Sequence, residues 1–597
     1  MTPLLKTLRC VLCLIFVATL STVAVLHFKH NARLAHLHET ALEIASIAEL
    51  RHPYIVANNA GTRLLVNMDS ENGTAVYLFD VPTRKLTLLH EDSQSGYDWR
   101  QYKMLGWSPD DGLLAYGHQA APKKNDDDNS DPGDLVIADG TSGQTLATIR
   151  VSEAATNSLF QFTWLSSNSF AYIKPGQDLH VYEQKPEGWI ETRVFTNATG
   201  GNPYEAQSFA GLSPTAVTWR MRETLWSFDV TTGFATKLWG SFSNDVTTNT
   251  LLASSYSHET GKFLLVCYDR AEKRGERQSL YDFDPITKTF SHVIPVRQGI
   301  LPDNPPAWIN GHQGYEFLTP ERSYCTLWIS PTLGTNPATM FRAGEVRTAV
   351  VRGDHMFIAG TLTNEPPGVW DYNIKSGSLE CILSAARRGL QHTECVPFEV
   401  TTITNVAGQA FSYHLWKPAN FSPKRKYPLV LGNSPYSWTP FPLAAANAGY
   451  FFVTVDRPSW MSPMDDWTEK LMTGYKDLAK NPNIDTNRVF LCGRSVESSG
   501  VTWIYSQNPR LWKGVIFFDP AGPLPAISIR PFPKIFIASG ELEHSNILKA
   551  VKTYKEKASD AGVDVTLVIL KGAGHVSYGR GAQEQRIPAL MDFLLMK

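Results

Sequence analysis

The amino-acid sequence predicts an N-terminal membrane anchor, an all-β propeller and a C-terminal α/β domain with a mostly parallel sheet. Three observations predict this order: residues 11–28 are an uncharged apolar run, residues 51–395 repeat short strand patterns, and residues 396–597 alternate strand and helix patterns. The chain has 597 residues, 43% hydrophobic and 19% charged, so it is too long for one ordinary core and too apolar for disorder. At least two globular domains are therefore expected.

The apolar run 11–28 follows a short tail, residues 1–10, that carries Lys6 and Arg9. As a helix the run would be roughly 27 Å long, which nearly matches the hydrocarbon core of a bilayer. Lys29 follows it without the small residues of a cleavage site, so an uncleaved anchor is favoured over a cleaved signal peptide of a secreted protein. Because a short N-terminal tail usually stays inside, the sequence predicts a single-pass membrane protein whose bulk is extracytoplasmic.

Residues 29–50 are interpreted as a juxtamembrane helix or linker, and the repeats begin after them. One unit, residues 104–149, contains two strands joined by a Ser108-Pro109-Asp110 turn and two more strands beyond a loop. Residues 207–239 repeat this pattern, with Thr215 at the place of Asp110. About seven such units are counted at a period of about 40 to 50 residues, which is typical of propeller blades.

The charge balance excludes one large class of partners. Lys and Arg total 55 against 57 Asp and Glu, for a net charge of −2, so no nucleic-acid partner is predicted. The carboxylate-rich stretch 123–133 is interpreted as a solvated loop rather than a calcium site, and no Cys or His spacing indicates a metal or another cofactor. Cys381 and Cys395 are close enough in sequence for a disulfide between them to be considered.

From residue 396 onward the pattern is that of an α/β domain. Two long alternating strands are predicted within 398–416, and an amphipathic helix ends near Pro482. Strands of a mostly parallel sheet are then predicted at 427–431, 450–455, 489–492, 515–518, 535–538 and 563–570, with helices after Ser495, after Glu543 and at 583–596.

The most informative motif is Gly493-Arg494-Ser495-Val496-Glu497. It follows an apolar strand and precedes a helical pattern, so Ser495 lies where the chain turns sharply from strand to helix. This is where an α/β-hydrolase exposes its nucleophilic serine. A serine that only caps a helix is the alternative interpretation.

An acid and a histidine follow the serine in the order of an α/β-hydrolase. Glu543 lies after the strand at 535–538, and His575 lies on a glycine-rich loop after the last strand. His575 is the predicted general base, and Glu543 is the predicted acid that orients it. Glu541 and Asp519, which follows the preceding strand, are alternatives for the acid.

The oxyanion hole is predicted to use the backbone N–H of Val496 and a second donor from the loop after the first core strand. Asn433 or Ser434 is the candidate for that donor. A turn stabilised by these residues, without a catalytic role, is an equally good interpretation.

The whole layout resembles the prolyl oligopeptidase family of serine peptidases. The resemblance covers nearly all of the chain after residue 50 and depends on the Ser-Pro-Asp blade turn, on the sequence 484–489 before the elbow, and on the positions of Glu543 and His575. It implies a propeller that covers the active site and restricts access to small peptides. It also implies that connecting helices of the family are missing between Pro520 and Pro533.

The sequence departs from the family at three places. Gly432 stands where many members have an oxyanion tyrosine, Glu497 stands where the elbow has a glycine, and the acid is Glu543 rather than an aspartate. A preference for proline, and exopeptidase or endopeptidase action, are therefore not implied.

The sequence thus predicts a membrane-tethered serine hydrolase that cleaves a small peptide or an acyl ester through an acyl-enzyme on Ser495. An esterase or isopeptidase with the same triad is the nearest alternative. Outside the enzymes, the alternative is a catalytically inactive binding protein based on the propeller.

Overall fold

A computed structural model provides the structure of the protein. It describes residues 35–46, 54–69, 74–91, 102–119, 133–150, 161–173, 178–196, 198, 206–221, 224–239, 250–256, 261–268, 278–296, 307–309, 314–321, 324–330, 338–343, 345–361, 368–384, 391, 393–405, 408, 410–432, 440–455, 464–575 and 580–595. The predicted anchor 11–28 and the carboxylate-rich stretch within 120–132 lie outside these residues. Within the described ranges, no helix is long and apolar enough to cross a membrane.

The described residues between Tyr54 and Ser384 form seven four-stranded antiparallel sheets, each built from strands that are consecutive in the sequence. The strands of the first four sheets are β1 (Tyr54–Ala57), β2 (Arg63–Asp69), β3 (Thr74–Asp80) and β4 (Lys85–Glu91); β5 (Tyr102–Trp107), β6 (Leu113–Gln119), β7 (Gly133–Asp139) and β8 (Thr145–Arg150); β9 (Gln161–Ser166), β10 (Ser169–Ile173), β11 (Leu179–Lys185) and β12 (Gly188–Phe195); β13 (Ala206–Ser213), β14 (Ala216–Met221), β15 (Thr224–Asp229) and β16 (Ala235–Trp239). Those of the other three are β17 (Thr250–Tyr256), β18 (Phe263–Tyr268), β19 (Gln278–Asp284) and β20 (Thr289–Val296); β21 (Ala307–Ile309), β22 (Gly314–Glu321), β23 (Tyr324–Ser330) and β24 (Ala338–Ala343); β25 (Glu345–Arg352), β26 (His355–Thr361), β27 (Gly368–Asn373) and β28 (Leu379–Ser384).

Side chains that bond to the backbone close the turns of these repeats. The Ser108 hydroxyl donates to the Asp110 carboxylate over 2.6 Å and accepts the N–H of Leu113 over 2.9 Å. In the later unit the Ser213 hydroxyl accepts the N–H of Thr215 over 3.2 Å. Five of the hairpins between third and fourth strands use one device, a carboxylate or amide oxygen that accepts N–H groups two or three residues further on. It is found at Asp80, Asp139, Asp229, Asp284 and Asn373.

The first and last sheets lie side by side, as in a closed propeller, because β1 contacts β25. Arg352, at the end of β25, donates from its guanidinium to the carbonyl oxygens of Ala57 and Asn58, over 3.1 and 2.9 Å. On the other side of the same loop, Asp111 of the second sheet accepts the N–H groups of Asn59 and Ala60, over 2.7 and 2.9 Å. The loop after β1 therefore connects three sheets.

The C-terminal domain contains one eight-stranded sheet with the order β29-β30-β32-β31-β33-β34-β35-β36. All neighbouring pairs from β32 to β36 are parallel, and β29 and β30 pair antiparallel at the edge. The strands are β29 (Phe398–Thr404), β30 (Ala410–Trp416), β31 (Tyr427–Gly432), β32 (Phe451–Val455), β33 (Ile484–Arg494), β34 (Gly514–Phe518), β35 (Lys534–Gly540) and β36 (Val565–Leu570). The helices of the described chain are α1 (35–46), α2 (Pro440–Asn447), α3 (Met464–Leu478), α4 (Glu497–Gln507), α5 (Ser545–Asp560) and α6 (Arg580–Leu595), with a 3-10 turn at Pro509–Leu511.

Two apolar layers cover the two faces of this sheet, because successive strand residues point to opposite sides. In β34, Ile516 and Phe518 pack with residues of α2 and α6, whereas Val515 and Phe517 pack with residues of α3, α4 and α5. The first layer continues into the propeller and includes Ile44 of α1. The segment between β34 and β35, all of it described, contains no helix, as the resemblance implied.

Helix α1 also holds the connection between the two domains. The two carboxylate oxygens of Glu43 accept the N–H groups of Gln391 and Thr393, over 2.9 and 2.8 Å. Cys381 and Cys395, the two cysteines considered for a disulfide, do not form one in the described part of the chain. The connection is therefore held by hydrogen bonds and apolar packing rather than by that disulfide.

We expect Arg352→Met to destabilise the propeller by about 2 to 3 kcal/mol, because it leaves two partly buried carbonyl groups without their charged donor. Urea unfolding followed by tryptophan fluorescence measures the change. The matched control is Arg84→Met, since the ion pair of Arg84 with Glu380 also joins the first and last sheets but is solvent-exposed. That change should lower stability by less than about 1 kcal/mol. Equal effects of the two substitutions would contradict this account of ring closure.

Candidate active site

Ser495 occupies a strained turn between β33 and α4. Its φ is +49°, in the left-handed region that side chains other than glycine rarely adopt. Its N–H donates to the carbonyl oxygen of Phe518 over 2.9 Å, so the turn is bonded to the end of the neighbouring strand β34. Gly493 makes the tight packing possible, because an added Cβ would lie 2.7 Å from Cγ2 of Val501. This is the geometry of a nucleophile elbow.

The elbow forms with a glutamate at the place where its family pattern has a glycine. Glu497 is the first residue of α4, and its side chain is buried. Burial raises the pKa of the neighbouring Cys492 thiol, and the charge of Glu497 adds to that increase. The fold thus accommodates the buried glutamate, and Ser495 keeps its φ of +49°.

Three side chains from three loops form one hydrogen-bonded chain. Ser495 Oγ lies 2.8 Å from His575 Nε2, and His575 Nδ1 lies 2.6 Å from Glu543 Oε2. With Glu543 as a carboxylate, Nδ1 carries the proton that it donates, and Nε2 is left to accept the serine proton. The structure thus brings together the serine, acid and histidine singled out in the sequence.

Burial and charge set the protonation behaviour of this chain. Glu543 has a side chain only 1% exposed, whereas that of His575 is 41% exposed and so open to a substrate. Burial lowers the pKa of His575, but the hydrogen bond to Glu543 and the negative charges of Glu543 and Asp519 outweigh this, so the pKa is raised. The second oxygen of Glu543 accepts the N–H of His544 over 2.8 Å, which fixes the carboxylate in place.

The two alternative acids have other partners. Glu541 Oε2 accepts the N–H of Gly572 over 3.2 Å, and Asp519 Oδ1 accepts the N–H of Gly540 over 2.9 Å. Both carboxylates thus bind backbone groups of the loops that carry Glu543 and His575. Further backbone bonds, Glu541 N–H to Leu570 O at 2.9 Å and Leu542 N–H to Ala573 O at 2.8 Å, join these two loops directly.

The oxyanion site is described only in part. Val496, with its side chain exposed, begins the turn into α4, and its N–H has no acceptor among the described residues. It is therefore available to an oxyanion beside Ser495. Asn433 and Ser434, the candidates for the second donor, lie outside the described residues.

Arg586 is a residue at this site that the sequence analysis did not single out. It lies in α6, its side chain is fully buried, and its guanidinium is 3.3 Å from the Asp519 carboxylate. Its burial could have been predicted from helical spacing, because Arg586 lies four residues after Ala582 and four before Leu590, and both of these are buried. A charge on the apolar stripe of a helix indicates a buried partner.

The fold and this site define a class of protein, an α/β-hydrolase domain joined to a β-propeller. No protein-family model matches the chain, and no curated protein matches it. Among solved structures, the chain is similar to a prolyl endopeptidase, with 11% identity and a TM-score of 0.64 over 96% of this chain and 94% of the other. For the Pyrococcus horikoshii acylaminoacyl peptidase the identity is 12% and the TM-score 0.60, over 91% of this chain and 96% of the other.

The AtxE2 isopeptidase is a third similar structure, with 14% identity and a TM-score of 0.55 over 90% of this chain and 91% of the other. These likenesses extend through both domains. The chain therefore has the fold of prolyl endopeptidases and acylaminoacyl peptidase, and the resemblance to the prolyl oligopeptidase family is confirmed for the fold.

Because the base must be neutral to accept the Ser495 proton, the rate of fluorophosphonate labelling should rise with pH through a midpoint above about 6.5, the ordinary value for histidine. Glu543→Gln removes the charge that raises the pKa of His575, so the midpoint should fall. The maximal labelling rate of the Glu543→Gln variant should drop by roughly 10³- to 10⁴-fold, because the imidazole loses the acid that orients it.

Glu541→Gln is the matched control, since it alters a carboxylate two residues away that bonds Gly572 rather than His575. It should keep the wild-type midpoint and most of the rate. A Glu541→Gln protein as slow as Glu543→Gln would show that the acid has been assigned to the wrong residue.

Proposed function

We propose that this protein is a serine hydrolase of the prolyl oligopeptidase family, a peptidase that cleaves small peptides through an acyl-enzyme on Ser495. The observation that carries the proposal is the continuous chain of hydrogen bonds from Ser495 through His575 to Glu543. The similarity to peptidases through both domains supports the choice of an amide substrate.

In the first half of the reaction, Ser495 Oγ bonds to the substrate carbonyl carbon while its proton moves to His575 Nε2. The negative charge that develops on the carbonyl oxygen is stabilised by the Val496 N–H. The C–N bond then breaks, and the leaving amine takes the proton from His575. The acyl group remains on Ser495 as an ester.

In the second half, water attacks the ester carbonyl and gives a proton to His575. The ester bond breaks, the carboxylic acid leaves, and the proton returns to Ser495 Oγ. Glu543 keeps its hydrogen bond to His575 Nδ1 and stabilises the imidazolium in both halves. The propeller, packed against the catalytic domain through a shared apolar layer, would limit access to short chains.

An isopeptidase or esterase is the second candidate, because the same triad cleaves any activated acyl group. The similarity to the AtxE2 isopeptidase favours it specifically. An inactive binding protein is disfavoured by the preserved geometry at Ser495, which forms in spite of Glu497.

We expect the purified protein to react covalently with a fluorophosphonate probe, and Ser495→Ala to abolish the reaction. If the wild-type protein stays unlabelled while a control serine hydrolase labels fully, the proposal that this protein is a serine hydrolase is rejected. A panel of matched linear peptides, isopeptides and esters then separates the two candidates. Faster release from linear peptides is expected, and cleavage of isopeptides or esters alone would favour the second candidate.

We further propose that residues 11–28 tether the protein to a membrane with its catalytic part outside the cytoplasm. The support is the uncharged apolar run and its basic flanks. The full chain should sediment with membranes and resist carbonate extraction, whereas residues 29–597 alone should be extracted. Release of the full chain by carbonate would contradict the tether.

A further inference from the structure

Two opposite charges lie fully buried beneath the loop that carries Glu543. The Asp519 and Arg586 side chains are both 0% exposed, and their charged atoms are 3.3 Å apart. Asp519 directly follows β34 with φ at +46°, a second strained residue beside Ser495 on the neighbouring strand. Burial raises the pKa of Asp519 and lowers that of Arg586, and each charge opposes the effect on the other.

The contacts of Asp519 lead to the catalytic acid through the backbone. Its N–H donates to the Ala538 carbonyl over 2.8 Å, and its carboxylate accepts the Gly540 N–H over 2.9 Å. The carbonyl of Gly540 in turn accepts the N–H of Glu543 over 3.3 Å. Asp519 thus bonds to Gly540, the residue at which the loop that carries Glu543 begins; this loop is called the acid loop below.

Burying two charges carries a large desolvation penalty that packing alone does not require, since apolar side chains of similar volume fill a core as well. The position of the pair indicates what it contributes. An added Cβ at Gly540 would lie 2.3 Å from the Ala573 carbonyl oxygen. The acid loop and the loop that carries His575 therefore approach each other at Gly540, the residue to which Asp519 bonds. A small displacement at Gly540 would therefore move both Glu543 and His575.

We propose that Asp519, held by Arg586, is a positioning residue that fixes the acid loop and thereby orients Glu543 and His575 toward Ser495. This inference rests on the proposed function, because it concerns the same triad. Asp519 acts through the Gly540 backbone and through its charge, without touching the substrate.

The charges around His575 determine how the loss of the Asp519 charge would change the pKa of His575. Glu543 and Asp519 act on His575 as negative charges, and Arg494 acts as a positive one. The charged groups that act on the pKa of Asp519 are Arg586, Glu543 and His575. Removing the Asp519 charge should therefore lower the pH at which His575 loses its proton.

The test is Asp519→Asn, which keeps an oxygen for the Gly540 N–H but removes the charge. The maximal rate of fluorophosphonate labelling should fall on the order of 10- to 100-fold, because the neutral amide loses the ion pair with Arg586 that holds residue 519 in place, and the triad is misplaced. The midpoint of its pH profile should move to lower pH. The matched control is Asp282→Asn in the propeller, a carboxylate with a side chain 7% exposed and 2.9 Å from Lys262, which should change neither quantity.

If Asp519→Asn does not fold, the double change Asp519→Asn and Arg586→Gln removes both charges without leaving one buried alone, and the same two shifts are expected. A folded variant with the wild-type rate and midpoint overturns the proposal. So does a slower variant whose midpoint is unchanged, because that result describes a structural role only.

A second readout separates this proposal from the proposed function. In protein labelled with ¹⁵N-histidine, the titration of the His575 ring should move to lower pH in Asp519→Asn whether or not the enzyme turns over. A wild-type protein that fails to label rejects the hydrolase, and an unchanged His575 titration rejects the positioning role.

Discussion

The active site depends on two loops being held side by side at the carboxyl edge of the sheet. Glu543 follows β35 and His575 follows β36, and their 2.6 Å contact requires both loops to keep their relative positions. Backbone bonds from Glu541 and Leu542 to the loop that carries His575 hold them together. A triad built from separate strands is only as well oriented as these links.

Strain and buried charge are concentrated at the same edge. Ser495 and Asp519, at the ends of adjacent strands, are both held at positive φ, a conformation that persists only where surrounding bonds maintain it. The bond between Ser495 N–H and the Phe518 carbonyl ties one turn to the other. The large apolar layers on both faces of the sheet stabilise the strands enough to hold this local strain.

Much of the architecture could be predicted because it follows from local patterns. The side chains of turn residues such as Ser108 and Asp110 accept N–H groups of the backbone a few residues further on, so their effect is visible in the sequence itself. The strand and helix order after residue 396 follows from periodicity in the same way. The link from Arg352 to the loop after β1 could not be predicted, because it joins positions nearly three hundred residues apart.

The sequence alone determined the order of elements and the types of side chain at the site: a serine on a strand-to-helix turn, an acid and a histidine on later loops. These follow from residue chemistry and short-range spacing. Tertiary structure decided which acid meets His575, because Glu541, Glu543 and Asp519 all lie at the correct edge and only Glu543 has its carboxylate 2.6 Å from the ring. It also placed Arg586 beneath them, since burial against a distant strand is set by packing and not by neighbours in the chain.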